Sequence, residues 1–181
     1  MAFTRRTLLG AGAAFVTNVS LAQAQTPPNA AEALLGERAA ASAEGKGVLL
    51  QFYASWCGWC QPMDELIESS AFRRVVAPRF RTYRMRAIEM RENMRNRQLA
   101  GADELYRQYA PAHSGMPFVV FIAANGDTLI NSVAAATNEN IGYPVSREEL
   151  DWFDTMVRTA SPQATREERL AILRTAVRIA G

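Results

Sequence analysis

The sequence predicts an α/β domain: a small mixed sheet of about four strands flanked by helices, with an extra helix at the C-terminus. Three observations predict it. Residues 48–53 (Val-Leu-Leu-Gln-Phe-Tyr) form a short, nearly continuous apolar run, the pattern of a strand buried on both faces. Residues 117–123 give a second apolar strand, and Asn125-Gly126-Asp127 then marks a tight turn before 128–133, so these two strands read as an antiparallel hairpin. Segments of helical period separate and follow the strands, which is the α/β order.

The remaining elements follow in sequence. Residues 31–43, rich in alanine with Leu34 and Leu35, read as a helix ending near Gly45-Lys46-Gly47. Residues 58–69 have helical composition with Pro62 near the start, and 70–77 form a second helical piece closed by Pro78. Residues 80–88 read as a strand with Arg84 and Arg86 on one face and Arg81 on the other. Charge on both faces suits an edge strand. Residues 93–109 look helical, interrupted or restarted at Gly101-Ala102-Asp103. Ser146-Arg147-Glu148-Glu149 and Thr165-Arg166-Glu167-Glu168 both carry capping-box spacing and open two closing helices, with Pro162 between them. The first presents Leu150, Phe153, Met156 and Val157 at core-facing spacing, and the second Leu170, Leu173 and Val177.

The N-terminus differs from the rest. Thr4-Arg5-Arg6-Thr7-Leu8-Leu9 precedes an apolar, small-residue stretch, and Ala22-Gln23-Ala24 fits a small-x-small cleavage site. Residues 1–24 are therefore expected to be a signal peptide of the twin-arginine type, with Leu8 and Gly10 where the usual pattern has Phe and Lys. Residues 25–30 read as a flexible linker, and 31–181 as one domain with a C-terminal helical extension over 161–181. Such a chain is expected in the periplasm of a bacterium, with no membrane span after signal removal. Taking away residues 1–24 removes Arg5 and Arg6 and no acid, which brings 20 basic against 18 acidic residues to 18 against 18. The basicity belongs to the leader, and a nucleic-acid partner is not expected. Nine arginines do cluster between Arg73 and Arg97, a solvated face before a docking surface.

Trp56-Cys57-Gly58-Trp59-Cys60 lies where the buried strand gives way to a helix. The thiolate is the reactive form of cysteine, and a helix N-terminus stabilises it through unpaired N–H groups and a partial positive charge. Cys57, placed at the start of the helix, is the expected nucleophile. Cys60, one turn inward, is the expected resolving thiol. Other readings of the pair stay open. A disulfide across so short a loop staples little. A zinc site lacks ligands beyond the lone His113. Two thiolates could hold copper(I), with Met85, Met90 and Met94 as conceivable helpers, so a copper(I) metallochaperone is the alternative function. A binding module with idle cysteines is the third.

The segment Phe52-Tyr53-Ala54-Ser55-Trp56-Cys57-Gly58-Trp59-Cys60 resembles the strand-to-active-site stretch of the thioredoxin superfamily. Gly115-Met116-Pro117-Phe118-Val119-Val120-Phe121 is similar to the family's cis-proline segment, and Asn125-Gly126-Asp127 to its hairpin turn. These blocks span roughly residues 45–160 in order. The Trp-Cys-Gly-Trp-Cys motif, Met63 and Gly142-Tyr143-Pro144 resemble the exported, periplasmic thioredoxin-like subgroup.

The resemblance implies a thioredoxin-like fold and a thiol–disulfide oxidoreductase. It implies Pro117 as a cis-proline, Met116 as a backbone contact for substrate, and Trp56 and Trp59 as an apolar rim. The family's buried aspartate on the strand before the active site falls at Gln51, which hydrogen-bonds but does not titrate. The proton route to Cys60 must then use water or another group, with Glu65 as a candidate. Residues 91–101 read as extra material. The expected partners are client protein thiols and disulfides and an envelope redox partner, and the expected chemistry, reduction before oxidation, uses no bound cofactor and no metal.

Overall fold

A computed structural model describes residues 28–111 and 114–181. The expected signal peptide and His113 lie outside the described residues.

The first element is α1 (Ala30–Ala43), closed at its N-terminus by a capping box in which the Asn29 side chain accepts from the Glu32 N–H and Glu32 accepts from the Asn29 N–H. The Ala30 N–H also donates to the Ala100 carbonyl at 2.8 Å, and Ala30 is fully buried. Asn29 and Ala30 thus belong to the folded body, which corrects a linker drawn through residue 30. β1 (Gly47–Tyr53) follows, then α2 (Cys60–Glu68), α3 (Ser70–Val76) and β2 (Phe80–Arg86). Ile88 adopts φ 54°, a left-handed conformation that ends the strand short of the expected residue 88.

The expected helix over 93–109 is split into a single turn, α4 (Glu92–Arg95), and α5 (Ala102–Tyr109), which starts after Gly101 at φ 78°. β3 (Phe118–Ile122) and β4 (Thr128–Asn131) form the hairpin. A two-stranded ribbon, β5 (Val133–Ala134) and β6 (Glu139–Asn140), takes the place of the end of the expected fourth strand. α6 (Arg147–Ala160) and α7 (Arg166–Ala180) close the chain, and both have the expected capping boxes.

The main sheet runs β2-β1-β3-β4. β1 is parallel to β2 (Gly47 opposite Phe80, Tyr53 opposite Arg86) and antiparallel to β3 (Val48 opposite Ile122, Phe52 opposite Phe118). Its apolar run is continuous because helices cover both faces. Val48, Leu50 and Phe52 pack with Val120 and Ile122 under α1 and α5. Leu49 packs with Val119 and Phe121 under α2, α3, α6 and α7. β2 is the edge, and its arginines make internal pairs: Arg81 with Glu37 and Glu44, Arg84 with Asp64, and Arg86 with Glu89. The three arginines of β2, out of the nine in the 73–97 cluster, are therefore paired with carboxylates of the same chain.

The inward stripe of α7 differs from the expectation. Ile172 and Ala176 are fully buried, whereas Leu170 and Val177 are 38% and 54% exposed. α7 packs against α2 and α3, and its buried stripe runs through Ile172 and Ala176 with Leu173 partly buried beside it. No described helix is long and apolar enough to cross a membrane.

Candidate active site

β1 ends at Tyr53, and the chain leaves the sheet through Ala54, whose carbonyl accepts from the Cys57 N–H at 3.2 Å. The Cys57 carbonyl in turn accepts from Cys60 at 3.3 Å, and α2 begins at Cys60. Cys57 therefore sits in the turn before the helix, not at its first residue. The two overlapping turns at 54–57 and 57–60 delay the helix by three residues. The two cysteines differ in exposure: Cys57 is half-buried, whereas Cys60 is 4% exposed on the inner side of α2. The two are joined by a disulfide with a Cα–Cα separation of 5.4 Å.

Trp56 and Trp59 flank the pair at 37% and 46% exposure. Each is anchored by one edge. The Trp56 indole N–H donates to the Ile88 carbonyl at 2.8 Å, and Trp59 stacks on Tyr143 with ring centroids 5.5 Å apart and planes 10° from parallel. Burial pushes the Tyr143 phenol up to about 12, with Glu65 adding to the shift. The Met116–Pro117 peptide is cis. It immediately precedes Phe118, which pairs with Phe52 near the end of β1, so the fold brings Pro117 to the sheet end from which Cys57 departs.

Gln51 is fully buried on β1. Its Nε2 donates to Asp64 Oδ1 at 2.8 Å, while its Oε1 has no partner among the described residues. Asp64 also pairs with Arg84. Burial raises the Asp64 carboxyl above the usual carboxylate range, against the opposing pull of the Gln51 hydrogen bond and the Arg84 charge. The acid beside Gln51 is thus Asp64 and not Glu65, whose carboxylate accepts from Gln61 at 3.4 Å. The helix period decides this: Asp64 lies four residues after Cys60 and turns back over the sheet, and its neighbour points elsewhere.

A second carboxylate went unread in the sequence. Glu89 is 3% exposed and accepts from the Ser55 N–H at 2.7 Å, the Ser55 hydroxyl at 2.6 Å and Arg86 at 2.9 Å. Its neighbour Ile88 is held by its N–H on Asp103 Oδ1 at 2.6 Å, and Gln98 bridges the Glu89 N–H and Asp103. Ile88 and Glu89 thus brace Trp56 and Ser55, and Gln98, within the 91–101 stretch read as extra material, ties Glu89 to Asp103. Of the methionines named as copper helpers, Met85 is buried under α1 and α5 as ordinary core, whereas Met90 is 66% exposed. Among the described residues, no three His, Cys, Asp or Glu side chains are grouped to hold a metal.

A four-stranded mixed sheet between helical layers, with a Cys-x-x-Cys disulfide in the turn after β1 and a cis-proline just before the neighbouring β3, defines the thioredoxin class of fold. The family described as Thioredoxin-like matches residues 30–124, more than half of the chain, and the chain belongs to that family. No curated protein matches it. Among solved structures it is similar to a disulphide isomerase from Xylella fastidiosa Temecula1, at 19% identity and TM-score 0.47, covering 87% of this chain and 95% of that one. It is also similar to a structure titled DsbH Oxidoreductase (25% identity, TM-score 0.41, 67% and 81% covered). A thioredoxin from Thermus thermophilus matches at 22% identity and TM-score 0.39, covering 54% and 68%.

Proposed function

We propose that the protein is a thiol–disulfide oxidoreductase that reduces disulfides of client proteins in the bacterial cell envelope. The observation that carries this reading is the unequal exposure of a bridged cysteine pair: Cys57 within reach of a client, Cys60 behind it at the start of α2. The export-like pattern of residues 1–24 supports the location.

In the reduced form, the Cys57 thiolate attacks one sulfur of a client disulfide. An S–S bond to Cys57 forms, the client S–S bond breaks, and the first client thiolate leaves and takes a proton from water. Cys60 then loses its proton, and its thiolate attacks the Cys57 sulfur. The second client thiolate leaves and the Cys57–Cys60 disulfide closes. Two electrons have passed from the protein to the client, and a dithiol donor must return them. Trp56 and Trp59 supply apolar walls beside the Cys57 sulfur.

Insulin reduction with dithiothreitol as donor tests the reaction. Wild type is expected to accelerate it and Cys57→Ser to fall to the dithiothreitol background. Equal rates for the two would sink the reading. A redox titration against glutathione tests the direction: a strongly negative potential supports a reductant, and one at or above the glutathione couple an oxidase or isomerase.

Asp64 is assigned as the acceptor of the Cys60 proton, relayed by water, with Gln51 holding the carboxylate in place. Its raised value means that it gains a proton, and stops accepting one, at a higher pH than an ordinary aspartate. Asp64→Asn is expected to abolish the acid limb of the turnover profile that this carboxyl controls. Gln51→Asp, which adds a carboxyl on the strand, is expected to shift that limb. Stopped-flow oxidation of the reduced protein across pH reads both, and two unchanged profiles would show another proton route.

A further inference from the structure

Asn140, on the short β5–β6 ribbon, makes an uncommon set of bonds. Its Nδ2 donates to the carbonyls of Gly115 at 2.8 Å and Pro117 at 3.0 Å, and its Oδ1 accepts from the Gly142 N–H at 3.2 Å. Both amide hydrogens thus go to the two carbonyls that flank Met116. A pair of carbonyl partners demands a double donor, which an amide is and a carboxylate is not.

The ribbon is not free to drift. The Ile141 N–H donates to the Ser132 carbonyl at 2.8 Å, and the Ser132 N–H donates to the Val119 carbonyl at 2.8 Å. The Ser132 hydroxyl, fully buried, accepts from the Val119 N–H at 3.0 Å. Val119 lies two residues beyond Pro117 on β3, so a closed circuit runs from Pro117 through Val119, Ser132 and Ile141 back to Asn140. Gly142, at φ 59°, brings the chain close against the same peptide: a Cβ there would stand 3.9 Å from Pro117 Cδ and 4.0 Å from the Met116 carbonyl oxygen. Tyr143 continues the wall, stacked on Trp59 and donating its hydroxyl to the Ala176 carbonyl of α7 at 2.7 Å.

The Gly115 and Pro117 carbonyls are therefore occupied, and the Met116 N–H and carbonyl take no part in bonds among the described residues. A donor and an acceptor on one residue are what an extended polypeptide needs to pair with. We propose that Asn140 is a positioning residue for client docking. It holds the Gly115–Pro117 backbone so that the peptide groups of Met116 meet an extended client segment beside Cys57. The proposal rests on the dithiol–disulfide reading and on Met116 as the backbone contact that the resemblance implies, and adds the group that holds that backbone in place.

The test compares two substrates with dithiothreitol as donor: insulin, which offers a peptide backbone, and hydroxyethyl disulfide, which has none. In Asn140→Ala and the isosteric Asn140→Asp, the KM for insulin is expected to rise about tenfold, the cost of roughly one or two lost hydrogen bonds. Turnover at saturation and the rate with hydroxyethyl disulfide are expected to hold. An unchanged insulin KM in both variants overturns the proposal. So does a parallel fall with hydroxyethyl disulfide, which would mark general damage to the site. A wild type active on hydroxyethyl disulfide but not insulin refutes client docking alone, and one active on neither refutes the dithiol reading beneath it.

Discussion

Cys60→Ser is expected to turn the protein into one that remains joined to its clients. Cys60 is 4% exposed and sits one overlapping turn beyond Cys57, so the attack that releases a client is intramolecular. Held-together reactants of this kind react with effective concentrations far above those of any thiol in solution, and losing Cys60 is expected to slow release by about a thousandfold or more. The first step needs only Cys57, which the substitution leaves in place. Mixed disulfides should therefore accumulate and survive non-reducing electrophoresis. Intact-mass spectrometry should show the protein plus one client through Cys57. Cys57→Ser should give no such adduct, because the remaining thiol is buried. If Cys57→Ser formed adducts as abundantly as Cys60→Ser, the assignment of nucleophile and resolver would be wrong.

The parts of this site that could be read from sequence are those where local pattern and tertiary environment agree. The apolar run 48–53 is a strand because both its faces meet helices, and such a run has few other uses. The capping boxes at Ser146 and Thr165 and the turn at Asn125-Gly126-Asp127 are settled within four residues, so they were legible in full. Asn140 and Glu89 were not, because the partners that tie them to the site, the Gly115 and Pro117 carbonyls and Ser55, lie 23 to 34 residues away, and a contact at that distance leaves no mark on local pattern. Asp64 was nearly legible. The need for a carboxyl near Gln51 followed from the residue type, but which of Asp64 and Glu65 meets the strand depends on where α2 starts. That start lies three residues later than the motif suggests. The same phase problem misplaced the inner face of α7, where Ile172 and Ala176 are buried and Leu170 and Val177 are exposed.

Glu89 carries the second large expected effect, on stability and on its dependence on pH. Burial alone would push its carboxyl up, but the Ser55 hydroxyl and N–H and the Arg86 guanidinium outweigh that cost and hold it below the usual range. Removing the carboxylate in Glu89→Ala leaves Ser55 without its acceptor and Arg86, whose side chain is 19% exposed, without its partner. Breaking a buried charge pair in this way is expected to cost about 3–5 kcal/mol. Glu89→Gln keeps the shape but loses the charge, and a smaller loss of about 1–3 kcal/mol is expected. The sign with pH follows from the lowered value. A carboxyl whose folded pKa lies below its unfolded value contributes stability that is complete above the unfolded value and disappears as pH falls through the folded one. The deficit of Glu89→Gln against wild type should therefore be full at neutral pH and shrink in acid, where both carry a neutral side chain. Urea midpoints for both proteins, at neutral pH and below the ordinary glutamate range, measure it. An equal deficit at both would show that the charge of Glu89 is not what braces the Ser55–Cys57 loop.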